Sequence, residues 1–128
     1  MSDTLGPVME LGPLMERNLL EVFGQRDSAR RAAVIAELYT ADCRFFEAEE
    51  QVTGREALNV KVGDILKDAP GFVFRAAAPA QVNHDLGRLR WQFGPAGAPP
   101  VVTGTDIAVF AQGRIRALYA FLDESAST

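Results

Sequence analysis

The chain has 128 residues, 48% of them hydrophobic and 23% charged, with a formal net charge of −4. That length suits one domain with a hydrophobic core, and the composition excludes global disorder. The acidic balance speaks against a nucleic-acid partner, which selects a basic face, and no apolar run approaches a membrane span.

Residues 1–12, with Gly6, Pro7 and Gly12, read as a flexible N-terminal arm ahead of a single domain over 13–124, and 125–128 as a short C-terminal tail. Pro13 suits a first helical turn. Leu14, Met15, Leu19, Leu20, Val22 and Phe23 then make an apolar stripe out to Gly24. A second helix starts with Asp27 or Ser28 as N-cap, buries Ala32, Val34, Ile35, Leu38 and Tyr39, and runs into Thr40-Ala41-Asp42. Arg26, Arg30 and Arg31 read as a solvated helix face rather than an anion site. A short strand over 44–48 leads to an acidic loop carrying Glu47, Glu49 and Glu50. Thr53 and Glu56 have capping-box spacing, and the helix they open presents Leu58, Val62, Ile65 and Leu66 before Pro70-Gly71.

From Phe72 onward the pattern is strand: 72–82, 84–93, 101–111 and 114–122, with a tight turn at Gln112-Gly113 between the last two. Three helices followed by a meandering, mainly antiparallel sheet is an α+β order. The sheet is expected to curl around the helices and leave an apolar concavity between them.

One carboxylate stands out. Asp106 lies mid-strand among Ile107, Val109 and Phe110, so it is expected to be buried, either neutral or partnered. By alternation Ala108 and Phe110 share its face, and Leu89, Trp91 and Phe93 form the matching set on the preceding strand. Leu58, Val62 and Leu66 would close the far wall. An apolar pocket with one acid suits a small hydrophobic ligand. Asp106 would then donate a proton or hydrogen bond to a carbonyl or enolate oxygen; the structural alternative is a strand aspartate bonded to Arg90, Tyr119 or Trp91. His84 is the candidate base, provided that a bulge at Gly87 brings it to the pocket face; an unbroken strand turns it outward. A glutamate of the 47–50 loop, Glu49 in particular, is a further candidate base, although a solvated acidic loop at the pocket mouth is the plainer reading of Glu47, Glu49 and Glu50. The single Cys43 excludes an intrachain disulfide and a thiolate metal cluster and reads as a small buried hydrophobe. No metal or other cofactor is expected, and a cytoplasmic location fits the cysteine usage and the absence of a basic leader.

The pattern Leu38-Tyr39-x-x-Asp42, Gly54-Arg55-Glu56-Ala57, Gly104-x-Asp106, Gly113-Arg114-Ile115 and Phe121-x-Asp123 resembles the NTF2-like superfamily, in particular its SnoaL-like and ketosteroid-isomerase-like branches, over residues 13–124. The resemblance implies a cone-shaped fold and a homodimer formed through the outer sheet face. It also implies that Ala117, Tyr119 and Phe121 point into the cone. Aligned on Tyr39–Glu47, the general-base aspartate of the ketosteroid isomerases falls on Ala48, their oxyanion-hole tyrosine near Asn18, and their protonated aspartate on Asp106. The chain is therefore not a typical ketosteroid isomerase. Nor is it a typical epoxide hydrolase, whose second aspartate would fall at Ala120. The implied function is a cofactor-independent acid/base isomerase, cyclase or dehydratase acting on a carbonyl-bearing molecule. Asp106 and His84 would be its catalytic pair, with Trp91, Tyr119, Phe110, Phe121, Leu58 and Val62 around the substrate. The alternative is a non-catalytic ligand-binding or dimerisation domain.

Overall fold

In the computed structural model, which describes residues 5–124 and side chains from Leu11 onward, helix α1 spans Leu5–Arg17. It begins at Leu5 rather than at Pro13, so the helix takes in most of the stretch read as an arm; residues 1–4 and the tail 125–128 lie outside the described residues. Pro7 sits in the first turn, where a backbone N–H has no helical partner to lose. Pro13 lies inside the helix, where the chain forgoes one hydrogen bond. A π-helical segment, Asn18–Phe23, follows directly. Its wider turn brings Asn18, Leu19, Val22 and Phe23 all to the interior, and leaves Leu20 in solvent.

Helix α2 (Ser28–Leu38) is capped by Asp27, whose carboxylate accepts from Arg30 N at 2.9 Å. It stops at Tyr39, which turns extended and opens strand β1 (Tyr39–Phe46). The strand therefore starts earlier than 44, and Thr40-Ala41-Asp42 belong to it rather than to a last helical turn. Ala32 is exposed, while Ile35, Leu38 and Tyr39 are buried. The arginine cluster is only in part a solvated face, at Arg30, which is exposed. Arg31 is only 3% exposed and bonds Asn59 Oδ1, Asn59 O and Gln25 O. Arg26 donates to the carbonyls of Leu66, Ala69 and Phe72. Together they clamp α2 and the preceding loop to helix α3 (Arg55–Lys67) and its exit.

Strand β2 (Gln51–Thr53) precedes α3, but the capping box does not form. The N-cap is Gly54, at φ 96°, and Thr53 Oγ1 instead accepts from Gln51 Nε2. Strands β3 (Phe72–Ala76), β4 (Gln81–Asn83), β5 (Leu86–Pro95), β6 (Val102–Ala111) and β7 (Arg114–Leu122) complete the fold. The expected strand 72–82 is interrupted around Pro79, which has no N–H to offer a ladder. β3 and β4 instead take successive stretches of the same edge of β5.

Among the described residues there are three α-helices and a curved, seven-stranded sheet in the order β2-β1-β7-β6-β5-β3, with β4 on β5. All pairings are antiparallel except β1 with β7. The α+β prediction holds. Gln112 and Gly113 both have positive φ, 56° and 76°, the requirement of a two-residue hairpin turn matched to strand twist. The core lies between the helices and the concave face, with Met15, Leu19, Ile35, Leu58, Val62, Leu89, Ile115 and Leu118 fully buried.

Candidate functional site

Along β6, Gly104, Asp106, Ala108 and Phe110 are the buried residues, as strand alternation requires. Register sets Leu89 of β5 and Ala120 of β7 on either side of Asp106, and Trp91 beside Gly104. Gly104 makes room for the indole. A Cβ there would lie 2.4 Å from Trp91 Cζ2 and 2.5 Å from the Phe121 carbonyl oxygen, so only glycine lets the ring lie over this strand. From that position Trp91 Nε1 donates to Asp106 Oδ1 at 2.9 Å.

Asp106 is 5% exposed, and among the described residues it takes part in no ion pair. Desolvation pushes its pKa up from 3.8 to about 7, against the smaller opposing effect of the Trp91 hydrogen bond. At neutral pH the group is thus divided between acid and carboxylate, so it can donate a proton as well as accept one.

A cavity of about 210 Å³ opens beside Asp106. Its walls are Leu19 and Phe23 from the π-helical segment, Ile65 from α3, Phe45 from β1, Phe74 from β3, and Trp91, Phe93, Val102, Ala120 and Leu122 from the sheet. Edge-on packing of Phe74 against Trp91, with centroids 5.6 Å apart, steadies the indole. Two carboxyl groups line the cavity, Asp106 and Glu47. Glu47 is half-buried at the end of β1, with Oε1 2.8 Å from Lys61 Nζ; the same ammonium also meets Glu50. Those two glutamates hold the Lys61 pKa well above its ordinary value.

Tyr39, fully buried at the start of β1, donates to Asn18 Oδ1 at 2.5 Å. Burial first, and the nearby Asp106 charge second, hold its pKa well above the ordinary range. Tyr39 is therefore a neutral hydroxyl tied to the π-helical segment.

The predicted site residues divide sharply. Asp106 and Trp91 meet in the cavity, with Phe93 beside them. Phe110, Leu58 and Val62 are buried in the core but do not line the cavity. Tyr119 and Phe121 lie on the outer face of the sheet, 36% and 58% exposed, and Ala120 and Leu122 take the inward positions. The cause is a bulge. Ile115 pairs with Phe110 and Ala117 with Val109, so Arg116 is an extra residue that reverses the parity of the rest of β7. His84 is not in a strand. It is an exposed turn residue at φ 55°, joining β4 to β5, and it neither lines the cavity nor approaches Asp106. No bulge forms at Gly87, which pairs in register with Ala108.

Sequence reading missed Phe23, Phe45 and Phe74 as wall residues. Phe45 was readable, because Cys43 and Phe45 share a strand face; Phe23 and Phe74 carried no signal beyond being apolar. Of the acidic loop, Glu47 rather than Glu49 faces the cavity, and Glu49 is exposed. Cys43 is buried, and burial raises its thiol pKa. Among the described residues no cluster of three or more His, Cys, Asp or Glu is placed to hold a metal ion. No described helix is long and apolar enough to cross a membrane.

Residues 17–118 match the model of a family described as SnoaL-like domain. Solved structures with the same fold include a candidate isomerase of the SnoaL-like family from Agrobacterium tumefaciens. It is 20% identical, with 91% of this chain and 99% of that one covered at a TM-score of 0.83. A candidate SnoaL-like polyketide cyclase from Jannaschia is 18% identical over 92% and 88% of the two chains, with a TM-score of 0.77. A candidate ketosteroid isomerase from Kribbella flavida is 13% identical over 97% and 85%, with a TM-score of 0.73. No curated protein matches the sequence.

Proposed function

Given that the chain belongs to the SnoaL-like family, within the NTF2-like superfamily, we propose that it binds a small apolar molecule bearing a carbonyl group and performs acid/base chemistry on it without a cofactor. The observation that carries this reading is Asp106, a carboxyl buried in an apolar cavity with an indole as its partner and, among the described residues, no cation. In its protonated form Asp106 donates to the carbonyl oxygen. Glu47, the other carboxylate of the cavity, takes a proton from the adjacent carbon. The product is an enol, and return of the proton to the same or another carbon gives exchange or isomerisation. Aldol-type cyclisation and dehydration proceed from the same intermediate. Lys61 fixes Glu47 at the cavity mouth. His84 has no role.

Proton exchange tests this without knowledge of the natural substrate. Small cyclic ketones are incubated with the protein in heavy water, and loss of the signal from hydrogens beside the carbonyl is followed by NMR. Wild-type protein accelerates the loss, and Glu47→Gln and Asp106→Ala each reduce the rate by about a hundredfold or more, the usual worth of one positioned acid or base. Binding without exchange would overturn the catalytic reading. It would leave a non-catalytic ligand-binding domain, the alternative that the outward position of His84 favours.

We further propose that two copies pair through the outer face of the sheet over β5 and β6, where Arg88, Arg90, Thr105 and Ile107 point outward, and that the protein works in the cytoplasm. Sedimentation at micromolar concentration decides the first point, and a monomer would refute it.

A further inference from the structure

The interior cavity is small for a complete ligand site. Ligand pockets commonly enclose about 300–1,000 Å³, and a cavity of about 150 Å³ already accommodates benzene. The 210 Å³ beside Asp106 therefore holds about one ring with a small substituent. A second concavity of about 350 Å³ lies at the rim of the sheet, and Glu47, Ala120 and Leu122 line both. Beyond that shared boundary it is floored by Phe46, Tyr119 and Phe121. Phe46 and Tyr119 are stacked at 4.5 Å with their planes within 6° of parallel, a flat aromatic step beside the opening. Phe121 and Leu122 are 58% and 66% exposed there. Exposed large apolar side chains collected at the mouth of an apolar cavity are the pattern of a binding surface rather than of ordinary solvated sheet.

We propose that the ligand is longer than the cavity: a ring bearing the carbonyl enters to Asp106, and an uncharged apolar extension leaves past Glu47, Ala120 and Leu122 to lie on the Phe46–Tyr119 step and against Phe121. This rests on the reading of the cavity as the ligand site. The carboxylate of Glu47 at the boundary selects against an anionic group at the point where ring and extension join. Among the described residues the lining of this concavity itself carries no cationic side chain to hold a charged tail; Arg44 and Arg116 line a separate concavity with Phe46 and Tyr119.

The test is a chain-length series read by the emission of Trp91, the single tryptophan of the protein and a wall of the cavity. The probes are cyclohexanone and its ethyl, butyl and hexyl derivatives substituted opposite the carbonyl. Affinity is expected to rise about two- to fourfold per added methylene as the chain extends over the rim, from partial to full burial of each group. In Phe121→Ser the increment beyond the ethyl derivative falls to nearly nothing. An affinity that levels off after ethyl in the native protein, or an increment unchanged by Phe121→Ser, would overturn the proposal while leaving the cavity as a site for a one-ring ligand. Failure of cyclohexanone and all of its derivatives to perturb Trp91 would instead overturn the ligand site itself. A level series in a dimer that Phe121→Ser dissociates would assign the rim to a second copy of the chain, which also refutes the proposal.

Discussion

Replacing Asp106 by asparagine keeps an oxygen for the Trp91 indole and removes the titration. In the folded protein the carboxyl ionises at about pH 7, against 3.8 when unperturbed. Between those values the native state binds a proton that the unfolded chain has released, so stability falls as pH rises. The favourable contribution is complete below the unfolded pKa and is lost as pH climbs through the folded one. At about 1.4 kcal/mol per pH unit the whole interval is worth about 4 kcal/mol. About 2.6 kcal/mol of it falls between about pH 5 and about pH 8. Asp106→Asn does not titrate, and the other ionisable groups are common to both proteins. Their difference in unfolding free energy, measured by urea titration across that range, should therefore shift in favour of the variant by about 2.6 kcal/mol as pH rises. A difference constant to within about 0.5 kcal/mol would show that Asp106 ionises normally. The desolvated acid on which the proposed chemistry depends would then not exist.

Three further outcomes are expected. Gly104→Ala drives a methyl into the Trp91 ring and the Phe121 carbonyl; it should cost about 1–3 kcal/mol in chemical denaturation, with a shift in the emission maximum as the indole leaves Asp106. Arg31→Lys retains charge but not the fork that reaches Asn59 and Gln25, so a loss of about 2–4 kcal/mol is expected rather than a silent exchange. His84→Gly relieves a left-handed backbone and should raise stability by up to about 1 kcal/mol, with ketone exchange unchanged. A fall in exchange would restore His84 to the chemistry.

Most of the site's sheet half was legible because alternation is a local rule. Asp106 with Ala108, and Trp91 with Leu89 and Phe93, follow from period two along unbroken strands, and the structure keeps both strands unbroken there. The errors fall where the backbone departs from period. Nothing in Arg114-Ile115-Arg116-Ala117 announces a bulge, so the inward set on β7 is displaced by one residue. His84 was placed by extending a strand through a turn whose positive φ carries no glycine to mark it. The π-helical segment is similarly silent, since Asn18-Leu19-Leu20 reads as ordinary helix while the structure seals Asn18 against Tyr39. Arg31 looked solvated because charge on a helix usually is; its acceptors lie on a loop and on α3, beyond any local window.

The extra residue at Arg116 also bears on how such a pocket can change over generations. A substitution alters one wall position at a time. Deleting Arg116 would close the bulge and keep the present phase, whereas closing it at constant length would re-phase the end of β7, exchanging the aliphatic lining of Ala120 and Leu122 for the aromatic pair Tyr119 and Phe121 that now faces away. Two alternative interiors are thus written on opposite sides of one strand, separated by the presence or absence of one bulge. Repertoires of pockets on this scaffold can therefore diverge by jumps in strand phase, with little prior drift in composition.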